Sequence, residues 1–205
     1  MRTGTEDKMT LVFIRHGETR SNKEHRYLGQ TDEELSEEGR KKLRQHGKYP
    51  RVDRLFSGPM RRCRETAAIL YPDMDPVIIG EWTETDFGTF EGKNYEELKD
   101  DKQYQTWIDS GGRMAFPEGE SREAFIRRCN KGFERVKAYL REEKERTGRF
   151  PGTVGLVVHG GTIMALLCTY LGGDYFDYRM ANGEVYLCRL TESEGDFRWE
   201  DWNTI

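Results

Sequence analysis

Two short apolar runs each deliver a histidine–glycine step: Leu11-Val12-Phe13-Ile14 leads into Arg15-His16-Gly17, and Val154-Gly155-Leu156-Val157-Val158 leads into His159-Gly160-Gly161. A continuous apolar run of this length, bounded by a polar turn, fits a strand covered on both faces, as in a parallel sheet. Ligands of such sheets bind beyond the carboxyl ends of the strands, so both imidazoles are expected at one edge.

The segments between these runs supply the helices that must cover the sheet. Residues 17–35 lack sustained periodicity and read as a long surface loop. Ser36 caps a helix that continues to about His46, with Glu37 and Glu38 in its first turn and Gly47 beyond its end. Val52 to Phe56 alternates as a strand, breaks at Ser57-Gly58-Pro59 and gives way to a helix from Met60 to Leu70. Pro76 to Ile79 forms a short strand. The 82–116 stretch reads as an excursion over one face, with two weak helical segments. Its aromatic residues Trp82, Phe87, Phe90, Tyr95, Tyr104, Trp107 and Phe116 are assigned to core rather than to a ligand platform. Ser121 caps a long amphipathic helix in which Phe125, Ile126, Cys129, Phe133, Val136 and Leu140 recur at spacings of three and four. A helix from Thr162 to Leu171, apolar almost all round, is expected to be buried, and two antiparallel strands over 184–190 and 197–202 close the chain. This alternation predicts a three-layer α/β/α sandwich, a mostly parallel sheet with helices on both faces. The 205 residues are enough for one sizeable core, so a single domain over 1–205 is expected, with residues 1–8 as a flexible tail.

Charged residues make up 34% of the chain and the net charge is −4. Long-range attraction to nucleic acid or to anionic lipid is therefore not implied, and any anion must be held by local clusters. The cysteines at 63, 129, 168 and 188 have no paired spacing, which argues against a zinc site or a secreted disulfide framework. With no signal-like apolar stretch and no run long enough to span a membrane, a cytoplasmic location is expected.

Local cationic clusters do exist. Arg15 precedes His16, Arg61, Arg62 and Arg64 open a helix, and His159 precedes a Gly-Gly-Thr helix start whose free N–H groups can receive an anion. Phosphate suits this set, because a guanidinium donates two parallel hydrogen bonds to adjacent oxygens. Like charge disfavours protonation of a histidine among arginines, so His16 keeps a lone pair for in-line attack on phosphorus, while the arginines and His159 stabilise the transferring oxygens. Neighbouring arginines repel a metal cation and no third ligand is marked, so neither a metal nor a cofactor is called for. The leaving alcohol needs a proton donor; Glu84 is the first choice, with Asp86 or Glu81 as alternatives.

The run from Leu11 to Asn22 resembles the Arg-His-Gly signature of the histidine phosphatase superfamily, which also includes cofactor-dependent phosphoglycerate mutases. Further matching segments are Gly29-Gln30-Thr31-Asp32, Ser57 to Ala67, the Glu84 segment, Pro117 to Ser121 and His159-Gly160-Gly161. The resemblance implies that His16 is phosphorylated, that Arg15, Arg62 and His159 form the phosphate pocket, and that Glu84 donates the proton. It also implies auxiliary phosphate contacts from Asn22, for which a turn-forming role is the alternative, and from the Gly160 amide. Among the helix-opening arginines it selects Arg62 and leaves Arg61 and Arg64 as exposed positions. Cys63 stands where alanine is usual, a difference expected to alter packing rather than chemistry. Asp86 to Gly92 and the 117–121 pattern resemble the phosphatase branch that includes alpha-ribazole phosphatases. The expected activity is hydrolysis of a small phosphate ester to release inorganic phosphate, with alpha-ribazole 5'-phosphate a candidate substrate. The alternatives are a phosphoglycerate mutase, disfavoured because the basic and aromatic run of mutases is missing, and a catalytically silent phosphate-binding module. Oligomeric state is not legible.

Overall fold

The computed structural model describes residues 7–47, 49–193 and 196–204, with side chains up to 200. In chain order its elements are β1 (Asp7–Arg15), α1 (Arg20–Lys23), α2 (Glu37–His46), β2 (Arg54–Ser57), α3 (Arg61–Leu70), β3 (Val77–Ile78), α4 (Tyr95–Leu98), α5 (Lys102–Asp109), α6 (Arg122–Thr147), β4 (Thr153–Val158), α7 (Gly160–Leu171), β5 (Val185–Ser193) and β6 (Asp196–Thr204). The six strands form one sheet in the order β3-β2-β4-β1-β5-β6. The first four run parallel, and β5 and β6 add antiparallel to β1 and to each other.

The unbroken apolar character of β1 follows from its two covered faces. Leu11 and Phe13 pack with Leu156 and Val158 of β4 under α6 and α7, against Phe125, Phe133 and Leu167. Val12 and Ile14 face the other way, joining Leu55 and Val157 beneath Cys63 and Ala67 of α3. All of these side chains are essentially inaccessible. Each fully buried aliphatic or aromatic side chain contributes roughly 1.5–3 kcal/mol, so a strand whose alternate residues serve two cores holds both layers of helices in place.

The helix boundaries follow local chemistry. The hydroxyl of Ser36 accepts from the Gly39 amide, and Gly47 ends α2 in the left-handed region. Ser121 caps the 26-residue α6 by accepting from the Ala124 amide, and Gly148 ends it the same way. Among the described residues, no helix is long and apolar enough to cross a membrane.

Three expectations change. Asp7 and Lys8, assigned to the flexible tail, are the first residues of β1, paired with Glu192 and Thr191; residues 1–6 lie outside the described part. The 17–35 loop contains α1, held by a reciprocal cap between Thr19 and Asn22 that no apolar periodicity announces. The closing strands run longer than expected, to Ser193 and from Asp196: of the hairpin turn expected over Thr191 to Gly195, Thr191 to Ser193 continue β5, and Glu194 and Gly195 lie outside the described residues.

Candidate active site

β1 and β4 are adjacent and parallel, with Arg15 opposite Val158. The next residues of both strands are the two histidines, and the His16 amide extends the ladder by donating to the Val158 carbonyl at 2.9 Å. Strand pairing thus brings together side chains 143 positions apart: the two rings have centroids 5.2 Å apart at 70°. Both residues are buried.

Nδ1 of His16 lies 2.7 Å from the Gly17 carbonyl oxygen. A carbonyl only accepts, so Nδ1 carries the proton and Nε2 keeps its lone pair. The Gly17 amide donates to the Thr66 hydroxyl at 3.0 Å, which in turn donates to the Arg62 carbonyl at 2.7 Å. Asn182 donates its side-chain amide to the His16 carbonyl at 3.0 Å and to Asn22 Oδ1 at 3.1 Å. Neither Thr66 nor Asn182 is among the residues the sequence marks for the site; Thr66 falls inside the Ser57 to Ala67 segment and Asn182 carries no catalytic pattern of its own.

Arg62 is fully buried, its two terminal nitrogens donating to the carbonyls of Thr31 and Gly29, each at 2.9 Å. Arg15 donates to the Met180 carbonyl. In both guanidiniums the buried Nε has no protein partner. Arg61 and Arg64 are exposed, and Arg61 is paired with Glu34 and Glu65.

Desolvation, reinforced by Arg62 and Arg15, holds His16 well below the ordinary imidazole pKa, and the Gly17 bond opposes this only in part. His159 is lowered for the same first reason, with Arg62, His16, Arg15 and Arg128 adding to it. Arg15 is itself lowered by burial, against the attraction of Glu84 and Glu184.

Glu84 follows a short 3-10 turn at Gly80–Trp82. Its carbonyl accepts from Gln30 at 2.8 Å and from Arg128 of α6 at 3.3 Å, and its carboxylate accepts from the Thr85 amide at 2.8 Å. A Cβ on Gly161, at the start of α7, would overlap Glu84 Oε1, and one on Gly160 would lie 3.2 Å from Arg15 Nε. The two glycines therefore let a carboxylate and a guanidinium approach a helix N-terminus where the His159 side chain makes no cap.

A cavity of 560 Å³ joins Arg15, Glu84, Gly160 and Gly161 to an aromatic wall. Of the alternatives to Glu84, Asp86 uses its carboxylate to accept from the Gly88 amide and Glu81 is paired with Arg135; neither lines this cavity. Asn22 lies on a neighbouring 650 Å³ cavity that shares Arg15 and Tyr27 with the first. Its Oδ1 accepts from the Thr19 amide at 3.2 Å as well as from Asn182, so this oxygen serves local structure. The aromatic residues divide. Trp82, Phe90 and Tyr104 are buried, whereas Phe87, Trp107 and Phe116, expected in the core, are half-buried on the cavity wall, and Tyr95 is exposed. Cys63 Sγ lies 3.6 Å from His159 Nε2, and burial raises its thiol pKa.

This arrangement can hold a tetrahedral oxyanion: two guanidiniums with unpartnered inner nitrogens, a helix start and a neutral imidazole with its lone pair free share one edge. A family model described as the histidine phosphatase superfamily (branch 1) matches residues 11–205. Phosphoserine phosphatase 1 of Hydrogenobacter thermophilus is 30% identical over 171 residues, covering 80% of this chain and 77% of that protein. Adenosylcobalamin/alpha-ribazole phosphatase of Salmonella typhimurium is 29% identical over 138 residues, covering 64% and 68%. The crystal structure of the alpha-ribazole phosphatase from Shigella flexneri shares the fold, with a TM-score of 0.75 at 21% identity over 95% of this chain and 96% of that one. The chain belongs to the histidine phosphatase superfamily. It is an enzyme of the phosphatase kind.

Proposed function

We propose that the protein is a metal-independent phosphomonoesterase that works through a phosphohistidine at His16 and acts on a small phosphorylated metabolite, with alpha-ribazole 5'-phosphate as a candidate. The observation that carries this reading is the His16 Nδ1 bond to the Gly17 carbonyl, which leaves Nε2 as the basic nitrogen of a ring close enough to Arg62 and Arg15 for both to disfavour its protonation. Nε2 attacks phosphorus and the ester P–O bond breaks. The departing alkoxide takes a proton from the Glu84 carboxyl group, and the resulting carboxylate then takes one from the water that displaces phosphate from the ring. Arg15, Arg62, His159 and the Gly160 amide hold the equatorial oxygens, with Asn22 an auxiliary contact.

The cations supporting this chemistry are guanidiniums, which disfavour a metal ion in the same place. All four cysteines are free thiols, three of them buried, which supports a reducing compartment such as the cytoplasm.

Rapid quenching during turnover of a chromogenic phosphate ester is expected to trap one acid-labile phosphate on His16, in the presence or absence of a chelator. Unchanged turnover in His16→Ala overturns the mechanism.

A further inference from the structure

The cavity that contains Glu84 and Arg15 is also lined by a wall of rings. Trp107 and Phe116 are stacked, with centroids 4.7 Å apart at 28°. Phe87 meets Phe116 edge-on at 5.0 Å, and Tyr27 meets Phe87 at 5.1 Å. All four are half-buried and line the cavity, while Phe90 and Tyr104 lie buried behind them. Contiguous rings left open on a cavity wall are ligand surface rather than surplus core.

The cavity is also lined by cations. Arg122 stands over the Phe176 ring at 4.6 Å, and Arg179 over the same ring at 4.5 Å. Neither guanidinium is paired with a carboxylate among the described residues; Arg122 donates instead to the carbonyls of Gly111 and Gly112. With Arg15, three cations line the cavity against the single carboxylate of Glu84. An ammonium on the leaving group would meet this excess of like charge, whereas a neutral or anionic planar ring would meet aromatic faces and guanidinium planes.

We propose that the leaving-group site takes the ester of an alcohol that carries a planar aromatic ring without an ammonium group, and that Trp107 and Phe116 are its specificity-determining residues. This rests on the phosphomonoesterase reading, because Arg15, Glu84 and Gly160, which in that reading serve the phosphate and the leaving oxygen, also line the ring cavity.

The test separates ring recognition from turnover. Naphthylmethyl phosphonate and its saturated counterpart, decahydronaphthylmethyl phosphonate, have the same carbon skeleton and cannot be hydrolysed. By calorimetry the aromatic compound is expected to bind about fivefold or more tightly, and the preference is expected to fall to within about twofold in both Trp107→Ala and Phe116→Ala, and to persist in Trp107→Phe. The corresponding phosphate esters, whose leaving alcohols are of similar acidity, are expected to show the same order in kcat/KM, carried mainly by KM, with phosphoserine below both. Equal binding of the two phosphonates, or a preference that survives both alanine substitutions, overturns the proposal. Aromatic preference in binding with no turnover of any ester overturns the phosphomonoesterase reading and leaves the ring subsite standing.

Discussion

The side-chain amide of Asn182 donates to the main-chain carbonyl of His16 at 3.0 Å, joining the loop before β5 to the strand end that carries the nucleophile. The same nitrogen reaches Asn22 Oδ1, so one amide fixes both the histidine loop and the cap of α1. Replacing Asn182 by alanine is expected to lower kcat about tenfold or more through misplacement of the ring, at a stability cost of only about 1 kcal/mol. Asn182→Asp, which sets a carboxylate against the His16 carbonyl, is expected to be worse. Steady-state kinetics beside a thermal melt separates the two effects; equal losses in kcat and stability contradict a positioning role.

The two site histidines make folding stability depend on pH. Burial and neighbouring guanidiniums depress both in the folded chain, so below about pH 6.5 the unfolded chain binds protons that the folded chain does not. Their contribution is complete above that value and is lost as pH falls toward the folded pKa values. The expected slope is about 1.4 kcal/mol per pH unit for each histidine. Urea midpoints measured between about pH 7 and pH 5, a range above the ordinary carboxylate pKa values, check this, and a flat profile contradicts it.

Gly161→Ala separates the proton donor from the helix. Alanine favours a helix over glycine by up to about 1 kcal/mol, yet here its methyl group would overlap the Glu84 carboxylate and press on the buried Phe125 ring at 3.0 Å. The expected result is a melting temperature lowered in line with an overpacking cost of about 1–3 kcal/mol, less the helix gain, and kcat/KM for an alkyl phosphate lowered about a hundredfold, the scale of a displaced general acid. Retained activity would remove Glu84 from that role.

Cys63→Ala tests whether the thiol beside His159 matters to the chemistry. The side chain is buried and its raised pKa keeps it neutral, so the expected cost is that of a small cavity, about 1 kcal/mol, with kcat within about threefold of the parent. A larger fall in kcat would show that the sulfur helps to orient the imidazole 3.6 Å away.

Much of this was legible because it is local. The apolar runs ending at His16 and His159, the serine caps of α2 and α6 and the periodicity of α6 are each contained within a few turns of chain. What the sequence alone could not place depends on contacts between distant segments. Asn182 is one polar residue in a turn, and its value lies in a carbonyl 166 positions away. The split of the 82–116 aromatics into buried and cavity-lining sets follows from how α5 folds over Tyr27, which periodicity does not record. Asn22 reads from sequence as turn former or phosphate contact alike, because only the fold brings Thr19 and Asn182 to its Oδ1.

The strand order bears on how the enzyme comes into being. β4 lies between β2 and β1, although it is made about a hundred residues after β2. On the ribosome, the segments bearing His16 and Arg62 emerge early but have no shared ladder until Val158 arrives to bridge them. The nascent chain is thus expected to remain inert toward phosphate esters until β4 has been translated, its unmatched strand edges meanwhile open to chaperones.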